Sequence, residues 1–294
     1  MVAGTTVHLR AEPTVRSPIL GILPLGRMVA VPRNGQPRDT TWIRVRPPNG
    51  LDGYIRADLI RRVPLGRRAA MMEQIATERF SRDGDLFAQR SELFALLNTL
   101  RYERLEEERA GRVAVLWIRS MHAVMTSRFA PHEREAYEGW HIVAEDDNLV
   151  VCEDRPNRCT VRPELLRELH EKHLETSSSD ELGWMLHESG LRGPCVGYAP
   201  CYFEWLAALD AEYLRQHPEG AHTPVVLTRV MTVARQAAAT PMPNGWFVAE
   251  RDCGSLLAST LALREAIEGT SGSERDAVLA VLPALRRPCE PATR

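Results

Sequence analysis

The hydrophobic period of this chain changes once, at residues 63–64. Up to Val63 the apolar residues fall in short runs broken by Pro and Gly. Val29 and Val31 alternate about Ala30, and Ile43 and Val45 about Arg44. That is the period of half-buried strands. Pro64-Leu65-Gly66 then punctuates the chain, and the apolar residues beyond recur at helical spacing: Leu93, Leu97 and Leu100, then Val113, Leu116, Trp117 and Val124. A chain of 294 residues has room for two cores. The pattern therefore predicts a small all-β domain over 1–63 and a mainly α-helical domain over 64–294.

Within the first domain, Asn49-Gly50 marks a tight turn between two strand runs. Gly26 sits where a turn needs a residue without a side chain. In the second, helices are predicted over 69–80, 86–109, 202–216, 223–238, 255–268 and 273–286. Two more start near Pro163, at a first-turn position, and near Asp180, read as an N-cap. One short β-hairpin is predicted, pairing Trp140-His141-Ile142-Val143 with Leu149-Val150-Val151.

Composition works mainly by exclusion. No apolar run reaches the roughly 20 residues of a membrane-spanning helix, so no span is expected. The opening MVAGTTVHLR lacks the apolar stretch of a secretory signal. The chain reads either as cytosolic or as a mature form after signal removal. Lys172 is the only lysine among 37 basic residues. It follows Glu171, with Leu at 169, which closes phosphate-loop, Schiff-base and Ser-x-x-Lys chemistry. Residues 1–68 carry 12 Arg against four acids, +8, in a chain of net −2, leaving −10 for the rest. Anionic cell-wall polymer, lipid headgroup and nucleic acid all fit a basic front, and the acidic remainder argues against nucleic acid.

Six cysteines fall outside the first domain: Cys152, Cys159, Cys195, Cys201, Cys253 and Cys289. The first two pairs are seven and six residues apart, and both intervals hold Pro with Asn or Gly. Such turns bring two Cα atoms to bridging distance, whereas structural zinc favours about two to four intervening residues. Disulfides 152–159, 195–201 and, by elimination, 253–289 are expected. They imply an oxidising compartment, periplasmic or extracellular. Six buried thiols in a cytosolic protein remain the alternative at this point. His170-Glu171-Lys172-His173 has its histidines three apart, where a zinc-protease helix needs four, and reads as a solvated face. His187-Glu188 and His132-Glu133 carry no stronger signal.

Five blocks of the first domain occur in a familiar order: Val7-x-Leu9-Arg10-x-x-Pro13, Ile19-x-Gly21-x-Leu23-x-x-Gly26, Val29-x-Val31, Trp42-x-x-Val45 and Gly50-x-x-Gly53-Tyr54-Ile55, closed by Leu59. This segment resembles a bacterial SH3 domain, with Tyr54 where that family more often has Trp. The resemblance implies a small closed or nearly closed β-barrel, used as a targeting or binding module on envelope proteins. Arg10, Trp42 and Tyr54 are its candidate ligand-binding residues. Arg10 reads better as a loop brace, and the two rings as partly core. Residues 211–222, AEYLRQHPEGAH, resemble the inter-helix turn of tetratricopeptide-like repeats. No second copy occurs at a 34-residue period, and the likeness points to binding.

Asp252-Cys253-Gly254-Ser255-Leu256 is similar to the nucleophile segment of cell-wall cysteine peptidases, which reads Asp-Cys-Ser-Gly-Leu. Here Ser and Gly are exchanged and no histidine follows His222, so the thiol has no downstream base. The expectation is an envelope binding or scaffold protein without catalytic residues, metal or cofactor. Its SH3-like barrel would dock on a cell-wall component or partner, and its helical domain would hold a second protein. The alternative is a cell-wall hydrolase or amidase with an unrecognised site.

Overall fold

A computed structural model describes residues 1–32, 34, 40–48, 50–64, 66–82, 84–154, 158–189, 195, 197–239, 248 and 252–289. Asn49 of the predicted turn, Leu65 of the predicted boundary, and Pro156, Asn157 and Val196 between paired cysteines lie outside the described residues. The chain divides into two compact units, Met1–Arg162 and Pro163–Arg294.

The first unit begins with four short strands: β1 (Val7–Arg10), β2 (Ile19–Leu23), β3 (Trp42–Val45) and β4 (Gly53–Arg56). They pair antiparallel in the order β2-β1-β4-β3. Among the described residues no closed barrel forms, which corrects the SH3-like barrel expected from the sequence. Among the described residues the two outer strands do not pair with each other, and the Val29–Val31 stretch contributes a single bridge, Ala30 to Arg46. The chain leaving β2 is turned instead of extended. Gly26 takes φ +77, the conformation its sequence position called for. Glu92 accepts a hydrogen bond from the Leu25 N–H at 3.1 Å and another from the Thr6 N–H at 2.8 Å. That carboxylate lies on a helix of the same unit, so the segment is tied to the helices and adds no further strand. The sheet buries Val2, Val7, Leu9, Leu23, Val45 and Ile55 on one face.

Helices α1 (Arg68–Arg82), α2 (Phe87–Leu100), α3 (Glu107–Met125) and α4 (Arg134–Asp146) follow. The predicted helix over 86–109 is thus two helices, parted at residues 101–106. Glu107 and Glu108 favour the new start, where the helix N-terminus is positive. The split lets α3 pack back on α2, with the Phe94 and Trp117 rings stacked 6.4 Å apart. The expected hairpin is also corrected. Trp140-His141-Ile142-Val143 lies in α4, which buries Tyr137, His141 and Ala144 at helical spacing. The strand Val150–Asp154 (β5) pairs instead with Arg158–Val161 (β6), Cys152 standing opposite Cys159.

The second unit is helical among its described residues: α5 (Pro163–Lys172), α6 (Ser179–Ser189), α7 (Ala199–Trp205), α8 (Ala211–Gln216), α9 (Thr223–Ala238), α10 (Cys253–Glu268) and α11 (Ser273–Val281). A π-helical turn, Leu206–Asp210, joins α7 to α8, and a 3-10 stretch, Leu282–Cys289, ends the described chain. Phe203, Leu214, Val226, Val230, Leu263 and Ile267 are fully buried in its core. Asp180 lies inside the first turn of α6 and does not cap it from outside. No helix among the described residues is long and apolar enough to cross a membrane.

Candidate functional site

Strand alternation decides what the sheet shows to solvent. Val7, Leu9, Val45 and Ile55 point into the core, so His8, Arg10, Trp42, Arg44, Tyr54 and Arg56 share the opposite face. The register agrees: Trp42 stands opposite Arg56, Arg44 opposite Tyr54, and Arg10 opposite Tyr54 from the other side. All three candidate ligand residues, Arg10, Trp42 and Tyr54, are therefore on one face. Both rings are half-buried and neither belongs to the apolar cluster beneath the sheet. Gly53 makes the close packing below possible, since a Cβ there would lie 2.8 Å from the Arg10 carbonyl oxygen and from Leu9.

The charge on this face is partly anchored. Arg10 donates to the Ser17 carbonyl at 2.7 Å and so braces the β1–β2 loop. Asp52 accepts from Arg44 at 2.7 Å and from Arg46, and the Arg46 bond holds its carboxyl below the usual value. Arg56 pairs with Asp58 at 2.9 Å. At the β2 edge the strip becomes apolar: Leu20 and Ile22 are 42% and 59% exposed. Exposed apolar side chains on a sheet edge are a docking feature.

Sequence reasoning missed a second cluster, in the helical unit. His170, His173, His187 and His217 are all buried, so the supposed solvated face of α5 is interior. The His170 and His217 Nε2 atoms lie 3.0 Å apart, one ring donating to the other. Burial, and then His217, lower the His170 pKa to about 4. Burial also lowers that of His217, against the pull of Asp180. Tyr213 donates to Asp180 Oδ1, and the Ala221 N–H donates to Oδ2 at 2.8 Å. Burial, then this bond, keep the phenol far from ionising.

Trp184 stacks on His222 at 4.5 Å and on His187 at 5.0 Å. Arg229 lies 3.3 Å from His187 Nε2, and Glu188 lies 3.3 Å from its Nδ1. Asp210, carried by the π turn, lies 3.3 Å from the same Nε2. A cavity of about 190 Å³ opens beside this cluster, lined in part by Arg167, His170, Glu171, His187, Glu212 and Tyr213. The only sequence signal was the density of histidines over 170–222, and the contacts that join them are non-local.

The cysteines are bridged as Cys152–Cys159, Cys195–Cys201 and Cys253–Cys289, the three expected pairs. His141 lies with the sulfurs of Cys152 and Cys159 in one group within 4.8 Å. Those sulfurs are bonded to each other and present no thiolate to a metal. Comparison with known proteins finds no match: no family model, no curated protein and no solved structure is similar to this chain.

Proposed function

We propose that this is a non-enzymatic binding protein of an oxidising, extracytoplasmic compartment, whose N-terminal sheet docks on anionic cell-wall polymer. The observation that carries the reading is the shared face of Arg10, Trp42, Arg44, Tyr54 and Arg56. Guanidinium groups pair with carboxylate or phosphate, and half-exposed rings offer apolar faces to sugar carbons. The +8 charge of residues 1–68 acts in the same direction. The likeness of the first 63 residues to bacterial SH3 domains supports the reading as well. Three disulfides favour a periplasmic or secreted protein.

The helical unit is proposed to hold a second envelope protein. Its support is a groove of about 630 Å³ beside α10, where Leu257 and Leu261 are exposed. Co-sedimentation of the full chain with purified sacculi tests the docking role, with the supernatant assayed for released fragments. Retention without fragments is the expected result. Soluble fragments would assign the protein to the hydrolases instead.

A further inference from the structure

We propose that helix α5 is an acid-opened latch of the second unit, closed while His170 and His217 are both neutral and released from α8 once both rings carry protons. The inference goes beyond the docking reading, because it concerns the other unit and a conformational change.

The closed pair has a place for one added proton and none for a second. The rings come from separate elements, the last turn of α5 and the residue that caps α8, and both are buried, at 2% and 9% exposure. Their Nε2 atoms lie 3.0 Å apart, so one ring donates to the other. A first added proton goes to the bare Nδ1 of the donor ring and leaves that bond standing. A second goes to the accepting Nε2, and two N–H groups then face each other. The rings cannot part in place, because the α6 backbone is packed against both. A Cβ on Gly183 would lie 2.5 Å from His217 Nε2 and 3.1 Å from His170 Nε2. Thr223 also fixes the His217 backbone by donating its hydroxyl to that carbonyl at 2.6 Å.

Helix α5 is the element that can give way. The apolar core of the unit is drawn from residues 199–285, whereas α5 buries Leu166 and His170. Its departure opens the cavity of about 190 Å³ that it encloses with α6 and α8.

The other charged and titratable groups around the pair set the balance. From α6, Asp180 draws a proton toward His217, while its oxygens accept from Tyr213 and from the Ala221 N–H. It helps the pair take one proton. Arg167 and Glu171 of α5, His187 of α6 and Glu212 of α8 line the cavity beside His170, one guanidinium against two carboxylates. His173 is buried beyond the end of α5 and donates its backbone N–H to the His170 carbonyl at 3.1 Å. At the start of α9, His222 faces Glu181 at 3.2 Å.

Burial, and then His217, hold His170 at about 4, and burial holds His217 below its ordinary value. Open imidazoles titrate near about 6.5, so below that pH the open form binds more protons than the closed one. The closed form is fully favoured above about pH 6.5 and loses ground as the pH falls toward 4. Opening takes up two protons at about 6.5, against at most one below that value in the closed pair. The open population therefore grows at least about 25-fold between pH 7 and pH 5.

The test is native-state hydrogen exchange on the full-length, disulfide-intact protein at about pH 7 and about pH 5, corrected for the intrinsic pH dependence of exchange. A released ten-residue helix does not keep its own hydrogen bonds in water, so the α5 amides report the open population. Their protection should fall by at least about 25-fold between the two pH values, while that of α10 changes little. The double variant His170→Gln with His217→Gln should lose this pH dependence, and exposed His132→Gln should keep it. A smaller fall in α5, an equal fall in α10, or the same fall in the folded double variant overturns the proposal. Should the double variant fail to fold, the wild-type comparison of α5 with α10 decides alone.

Discussion

Arg10 and Tyr54 stand opposite each other across the β1–β4 pair, and Arg44 stands opposite Tyr54 from β3. The tyrosine thus occupies the centre of a face whose neighbouring positions on both sides are guanidinium groups. Arg10 has a second duty there, because its Nη1 donates to the Ser17 carbonyl at 2.7 Å.

Arg10→Ala should therefore cost stability as well as charge. Loss of one hydrogen bond from a charged donor amounts to about 1–2 kcal/mol. Urea denaturation of the full chain measures it. Arg10→Lys keeps the charge without the planar fork, so most of the loss should persist. Full recovery with Lys would show that charge alone matters at this position.

Gly53→Ala tests how tightly β4 lies on β1. The added methyl would stand 2.8 Å from the Arg10 carbonyl oxygen and from Leu9, and the backbone partner cannot swing away. Overpacking of this kind costs about 1–3 kcal/mol. An unchanged denaturation midpoint would mean that the strands are not in this register.

The strands, the Gly26 turn and the two short cysteine pairs were legible because each depends on neighbours in sequence, and Cys253–Cys289 followed by elimination. Barrel closure was not, because it depends on where the chain goes after β2. Glu92, 67 residues from Leu25, holds the start of that path by accepting the Leu25 N–H. Residues 140–143 look like a strand by their aromatic and β-branched content, yet Tyr137, His141 and Ala144 bury at helical spacing. Tertiary packing overrode a local preference. The histidine cluster was hidden for the same reason. His170 meets His217 across 47 residues, and only the packing of α6 and α8 on α5 makes the His170 side interior.

The Cys253–Cys289 bridge closes the longest loop, 36 residues, and ties α10 to the 3-10 end of the described chain. Replacing both cysteines with Ser should cost about 3–4 kcal/mol by loop entropy, against about 2 kcal/mol for Cys195 and Cys201 together. Denaturation of the two double variants without reductant gives the comparison. Equal losses would show that chain entropy is not what the longer bridge contributes.

The claim that the outer sheet face binds anionic polymer is tested most directly by the salt dependence of retention on purified sacculi. The full chain is compared with Trp42→Ala and Tyr54→Ala. Wild-type binding should weaken steeply as salt is raised from about 0.05 M to 0.5 M, because exposed charges are screened over that range. Each ring variant should bind about tenfold less at low salt while folding as the wild type does. Binding that ignores salt, or that survives both ring substitutions unchanged, would contradict the account.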